Sequence, residues 1–94
     1  MKYLILADVV DPGVQNVQDW TATWGEMRGE IEDLGGEIID AHAVLGEHDF
    51  QFTCEIDDPE TAVQVAVAIE RHGLDTTTHQ LIDADRLGSL VEDV

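Results

Sequence analysis

The chain has 94 residues, a formal net charge of −17 at pH 7 and 44% hydrophobic residues. A chain of this length buries one modest core, and its hydrophobic content excludes a disordered protein, so we expect a single domain over residues 1–94. Only 4 Lys and Arg residues accompany 21 Asp and Glu residues, which argues against a nucleic-acid-binding protein because phosphates need a basic surface.

The acidic residues are spread along the whole chain and lysine is almost absent. This pattern favours a halophile's cytoplasmic protein, whose surface charge is screened in molar salt. A basic partner and mimicry of nucleic acid are the alternatives for the same charge. No signal peptide or membrane span is predicted, because Asp8 interrupts a short N-terminal apolar run. The one cysteine, Cys54, is expected to be a small buried hydrophobe in a strand.

The first half of the chain predicts a strand and a helix. Tyr3–Val10 is apolar and β-branched and indicates the first strand, which Asp11-Pro12-Gly13 ends. Asp19 is a good N-cap for the helix that follows, and Gly35-Gly36 is expected to end it. The apolar stripe of this helix consists of residues at helical spacing: Trp20, Trp24, Met27, Ile31 and Leu34.

A β-hairpin is predicted next, from strands over Glu37–Leu45 and Phe50–Asp57. If Leu45 pairs with Phe50, every pair on one face is apolar, including Ile39 with Ile56. The other face then carries mostly polar side chains: Ile38, Asp40, His42, Val44, Gln51, Thr53 and Glu55. Alternation of this kind is typical of a sheet that packs on helices with one face only.

The second half repeats the order of helix and strand. Asp58-Pro59-Glu60 is a strong helix start, and Arg71-His72-Gly73 closes that helix. The residues expected to be buried in it are Ala62, Val63, Ala66, Val67 and Ile69. Leu74–Ile82 predicts the fourth strand, and Asp83 is expected to begin a short final helix with Leu87, Leu90 and Val91.

The predicted fold class is therefore α+β. The order βαββαβ gives a ferredoxin-like domain: a four-stranded antiparallel sheet with two helices on one face, followed by a short C-terminal helix. The second sheet face has no predicted cover, and a half-covered sheet is usually completed by a partner. We therefore expect a homodimer in which two open faces meet.

The hairpin turn resembles that of the GYD domain family. Leu34-Gly35-Gly36 matches the family's helix end, and Leu45-Gly46-Glu47-His48-Asp49-Phe50 is similar to its Leu-Gly-Glu-Tyr-Asp turn, with His48 in place of a frequent tyrosine. The similarity extends over nearly the whole chain. It implies a ferredoxin-like fold and dimerisation of the dimeric α/β-barrel type, and it implies no activity.

A second resemblance points to ligand-binding regulatory domains of the ACT type. Asp11-Pro12-Gly13-Val14 follows a strand, as the Asp-x-Pro-Gly turn of those domains does. In ACT domains the helix begins directly after that glycine, whereas the apolar stripe here begins at Trp20. An ACT-like regulatory domain is kept as an alternative function.

The candidate ligand site is the open hairpin face. In the predicted register His42 lies opposite Thr53 and Asp40 opposite Glu55, so that His42 and Glu55 are diagonal neighbours. The leading hypothesis is a dimeric small-molecule-binding or accessory protein without evident catalytic machinery. The alternative is a cofactor-free oxygenase- or isomerase-like enzyme in which His42 is the base and Glu55 orients it.

The hairpin turn supplies two further candidates for ligand binding, His48 and Asp49, although a turn aspartate more simply bonds to the backbone. The sequence has no Gly-rich phosphate loop, no paired Cys–His zinc spacing and no serine nucleophile elbow. We therefore expect no cofactor and no metal.

Overall fold

The computed structural model describes residues 1–10 and 17–92 of the chain. The elements in order are β1 (Lys2–Val9), α1 (Val17–Asp33), β2 (Glu37–Ala43), β3 (Phe50–Glu55), α2 (Pro59–Glu70), β4 (Leu74–Leu81), a 3₁₀ turn (Ala84–Arg86) and α3 (Leu87–Glu92). The strands form one antiparallel sheet in the order β2-β3-β1-β4. This order confirms the predicted α+β, ferredoxin-like βαββαβ fold and its C-terminal helix. The predicted break at Asp11-Pro12-Gly13 lies outside the described residues.

The core lies between one sheet face and helices α1 and α2. Phe52 and Ile5 of the two central strands are almost fully buried against Met27 and Ile31 of α1 and Val65 of α2. The aromatic rings of the predicted α1 stripe lie flat on β3, where Trp20 stacks on Phe50 with ring centroids 4.0 Å apart and Trp24 stacks on Phe52 at 5.0 Å. Packing in the core, the role expected for both tryptophans, is confirmed.

The ends of the helices follow from their capping residues. The Asp58 side chain accepts hydrogen bonds from the backbone N–H of Thr61 at 2.7 Å and from its hydroxyl at 3.1 Å, and Pro59 opens the first turn of α2. Helix α1 ends at Asp33, and the chain then turns at Gly35, whose φ of +100° favours glycine. The prediction that Asp19 caps α1 was wrong, because α1 begins at Val17 and Asp19 lies in its first turn, where the helix dipole favours an acid.

The buried stripe of α2 differs from the predicted one. Ala62 and Ile69 are buried as expected. The other buried residues are Val65 and Ala68, whereas Val63 and Val67, which were expected to be buried, are 64% and 41% exposed. From Ala62 to Ile69 every residue of this helix except Gln64 is apolar, so the sequence could not indicate which side faces the sheet. The valines four residues apart lie on the outer surface instead.

The register of the β2–β3 hairpin is shifted by two residues from the predicted one. Ala43, and not Leu45, lies opposite Phe50, and the Val44 N–H donates to the Asp49 carbonyl at 2.8 Å to close the turn. An even shift leaves Asp40 and His42 on their predicted face but changes the residues opposite them. His42 therefore faces Gln51 and Asp40 faces Thr53.

An irregularity between Ile38 and Asp40 gives β2 one extra residue. Ile38 lies opposite Cys54 and packs against the core, whereas it was expected on the open face. Ile39, which was expected to pair with Ile56 inside, is the extra residue and is 46% exposed. Val44, also expected on the open face, lies beyond β2 in the turn.

Candidate functional site

The sheet face opposite α1 and α2 is the candidate site, and we call it the open face. Directly paired residues in antiparallel strands point to the same side, so the strand pairing assigns the side chains of this face. They are Glu37, Asp40 and His42 of β2; Gln51, Thr53 and Glu55 of β3; Lys2, Leu4, Leu6 and Asp8 of β1; and Asp75, Thr77, His79 and Leu81 of β4. The pairing of Leu4 with His79 also places His79, whose side the sequence did not determine.

The centre of the open face is apolar. Leu4 and Leu6 of the central strand β1 are half-buried, and Thr53 beside Leu4 retains only 9% exposure. The edge strands contribute exposed polar side chains, among them His42 and His79. The open face thus combines a small apolar centre with a border of hydrogen-bonding and charged groups.

A hydrogen-bond chain fixes the orientation of His42. Its Nδ1 lies 2.7 Å from Oε1 of Gln51, and Nε2 of Gln51 donates to the hydroxyl of Thr53. Because the amide oxygen only accepts, His42 must donate from Nδ1. In the neutral ring Nε2 is then left as an acceptor for a ligand.

The predicted pairing of His42 with Glu55 is not formed. His42 lies opposite Gln51, and Glu55 is four residues farther along β3, a separation of about 13 Å along the strand. Oε1 of Glu55 instead contacts the terminal ammonium group of Met1 at 2.6 Å. The error comes from the register shift, which leaves His42 beside Gln51 and Glu55 beside the N-terminus.

His48 and Asp49 attach the hairpin turn to β1. The Asp49 carboxylate accepts from the backbone N–H of Val9 at 2.8 Å, a bond to the backbone of another strand in place of the local turn bond that was expected. The Asp49 N–H donates to the Asp8 carboxylate at 3.0 Å, and Nδ1 of His48 lies 3.1 Å from the other oxygen of the Asp8 carboxylate. These contacts give both residues a structural role. Asp8, expected only to interrupt the N-terminal apolar run, holds them in place.

Two concave regions lie next to residues of the open face, and the sequence did not indicate either of them. One is a groove of about 120 Å³ at the β2 edge of the helix-covered side, lined by Trp20, Trp24, Ala41, His42, Ala43, Phe50 and Phe52. The other is a cleft of about 320 Å³ at one end of the open face, lined by Met1, Lys2, Glu55, Gln80, Leu81, Ile82, Asp83 and Arg86. Lys2 and Arg86 come together there from opposite ends of the chain, a proximity that sequence spacing cannot indicate.

Neither a metal-binding cluster nor a membrane-spanning helix occurs in the part of the chain that the structure describes. Within residues 1–10 and 17–92, no three side chains of His, Cys, Asp or Glu cluster closely enough to hold a metal ion. In that part of the chain no helix has the length and apolar character needed to cross a membrane.

The fold and the open face define an α+β domain of the ferredoxin-like class. The family model of the GYD domain matches residues 3–91, and the chain therefore belongs to the GYD domain family. No curated protein matches the sequence.

Solved structures support the fold. The crystal structure of the Mycobacterium tuberculosis Leucine response regulatory protein (LrpA) is similar over 88% of this chain and 51% of its own, at 12% identity and a TM-score of 0.61. The crystal structure of a glutamate-to-alanine mutant gives the same identity and TM-score over 88% of this chain and 50% of its own. The chain spans about half the length of these proteins, and at this identity the likeness concerns the fold alone.

Proposed function

We propose that this GYD domain is a homodimer that binds a small molecule between the open faces of its two copies. The observation that carries the proposal is the half-buried apolar centre formed by Leu4 and Leu6, on a side of the sheet where neither α1 nor α2 packs. An apolar centre with a polar border is typical of an interaction surface. A second copy would cover the leucines of the first with its own.

The polar border favours an enclosed ligand over a dry interface. His42 presents a free ring nitrogen, and Thr77 and His79 on the opposite edge are exposed. Buried polar groups need hydrogen-bond partners, and a closed dimer would take these groups out of bulk water. A polar small molecule, with a few waters, would supply the missing partners.

The charge of the open face makes the proposed dimer dependent on salt. Asp8, Asp40, Glu55 and Asp75 lie on each copy and would face the same carboxylates of the other. Their repulsion extends about 10 Å at 0.1 M ionic strength and about 3 Å at 1 M. The net charge of −17 supports a cytoplasmic protein of a salt-loving cell, where such repulsion is screened. The single buried core supports one domain over the whole chain.

Light scattering coupled to gel filtration tests the dimer. We expect a monomer in dilute buffer and a dimer in molar KCl. The change Leu6→Glu places a carboxylate at the centre of the interface and is expected to weaken association about tenfold or more. Val63→Glu adds the same charge on the outer surface of α2 and is the control. A wild-type monomer in molar KCl, or equal weakening by both changes, would contradict the proposal.

The proposal includes no catalytic step. Catalysis by a general base requires a positioned acceptor with a partner that orients it. His42 is oriented by the neutral amide of Gln51, and Glu55 lies two rows away. We therefore propose a binding function in place of the alternative enzyme.

A further inference from the structure

The cleft at the end of the open face brings together two of the few cationic side chains of this acidic protein. The chain has 4 basic side chains, and two of them, Lys2 and Arg86, line the same cleft of about 320 Å³. Lys2 is the first residue of β1, and Arg86 ends the 3₁₀ turn after β4. The cleft therefore holds half of the basic side chains of a chain with a net charge of −17.

Neither cation forms an ion pair in the part of the chain that the structure describes. Arg28 pairs with Glu32 at 3.2 Å, as expected for a cation among 21 acids. Lys2, Arg71 and Arg86 have no carboxylate within ion-pair distance in residues 1–10 and 17–92, and two of these three cations, Lys2 and Arg86, share the cleft. Glu55 and Asp83 also line the cleft, and Oε1 of Glu55 contacts the terminal ammonium group of Met1, so three cationic groups stand there against two carboxylates. Two cations without partners in one cleft make an electrostatic site for an anion.

We infer that the cleft binds the carboxylate of a small monoanionic organic acid whose apolar body extends along β1. Lys2, Leu4 and Leu6 are successive side chains on the open face, about 7 Å apart along the strand. An acid held at Lys2 and Arg86 would lay a short aliphatic or cyclic body over the two leucines. This part of the inference rests on the proposed function, whereas the anion site itself belongs to one copy.

The far end of the open face sets the charge of the ligand. Asp8 lies opposite Asp75 there, and Asp40 lies between that end and the cleft. A second anionic group on a ligand long enough to reach Leu6, about 13 Å from Lys2, would lie one same-face step of about 7 Å from Asp8 and be repelled. The arrangement therefore selects a molecule with one charged end over a dianion of similar length.

Isothermal titration at constant ionic strength tests the inference with hexanoate, acetate and hexylammonium as probes. We expect hexanoate to bind, acetate to bind more weakly, and hexylammonium not to bind at this site. Lys2→Gln and Arg86→Gln should each weaken hexanoate about tenfold, the usual effect of losing one charge-assisted hydrogen bond. Arg71→Gln removes the same charge outside the cleft and should leave the affinity unchanged.

The outcomes separate the anion site from the dimer. Leu4→Ala should weaken hexanoate and leave acetate unchanged if the body lies on β1. If hexanoate binds through Lys2 and Arg86 while the protein stays monomeric, the inferred anion site stands and the proposed dimer fails. Equal effects of Arg71→Gln and Arg86→Gln, or no binding of hexanoate at all, would overturn the inference even if the protein is a dimer.

Discussion

The two faces of the sheet use the same four strands for opposite purposes. On the covered face, side chains interdigitate with α1 and α2, and Phe52, Ile5 and Met27 keep at most 1% exposure. On the open face, the half-buried Leu4 and Leu6 lie between exposed edges that carry histidines and carboxylates. The difference shows that the stability of the single copy is concentrated on one face, while the chemistry available to a ligand is on the other.

The largest expected effect tests that division directly. Phe52→Ala removes a ring that is 1% exposed and stacked on Trp24, and it should lower the free energy of unfolding by about 3–5 kcal/mol. Leu4→Ala on the open face should cost the single copy less than half as much, because its side chain still contacts solvent. Urea unfolding at low protein concentration in molar KCl compares the two. Equal losses would show that both faces support the fold alike.

The second effect concerns the reactivity of the covered face. Burial raises the pKa of the Cys54 thiol to about 11, from an ordinary value of 9.0. In mildly alkaline buffer its thiolate fraction is therefore roughly a hundredfold lower than that of an exposed cysteine, and the helices also block access. We expect iodoacetamide to modify Cys54 only after unfolding.

The matched control for this labelling is Val63→Cys, on the outer surface of α2, which should react in the folded protein. Mass spectrometry of digested samples distinguishes the two sites. Modification of Cys54 as fast as that of the introduced cysteine would mean that the covered face opens readily. The two faces would then differ in their residues but not in how firmly they are packed.

The sequence was sufficient for the element order and for the side of the sheet on which Asp40 and His42 lie. Both follow from local signals: turn residues at strand ends, capping residues such as Asp58, and the alternation of polar and apolar residues. An alternation pattern has a period of two, so it is satisfied equally by any register that differs by two residues. This is why the predicted face was right while the residues opposite His42 were not.

The remaining errors have long-range causes. The turn could not close tightly on Leu45 and Phe50, because His48 and Asp49 attach it to Asp8 of a different strand. The anion cleft joins Lys2 to Arg86 across the whole length of the chain. Contacts of this kind depend on the tertiary fold, which no local pattern contains.

The smallest expected effect concerns the cap of α2, one of the two helices that make the covered face. Hydrogen bonds from the backbone N–H and then the hydroxyl of Thr61 lower the pKa of Asp58 in the folded protein. A carboxyl whose folded pKa is lowered stabilises the fold above its unfolded pKa of about 3.9, and this contribution is lost as the pH falls through the lower folded pKa. Asp58→Asn keeps a side-chain acceptor for the cap but has no such titration.

Urea unfolding midpoints measured from neutral pH down to about pH 3 in molar KCl should therefore converge for the wild type and Asp58→Asn as the acid is protonated. Asp58→Ala loses the capping acceptor itself and should be less stable than Asp58→Asn at every pH. The other carboxylates titrate in all three proteins, so only the difference between them reports on Asp58. A difference between wild type and Asp58→Asn that stays constant with pH would contradict the assigned cap. The stability of the covered layer would then depend on its packed side chains without a contribution from the charge at its helix end.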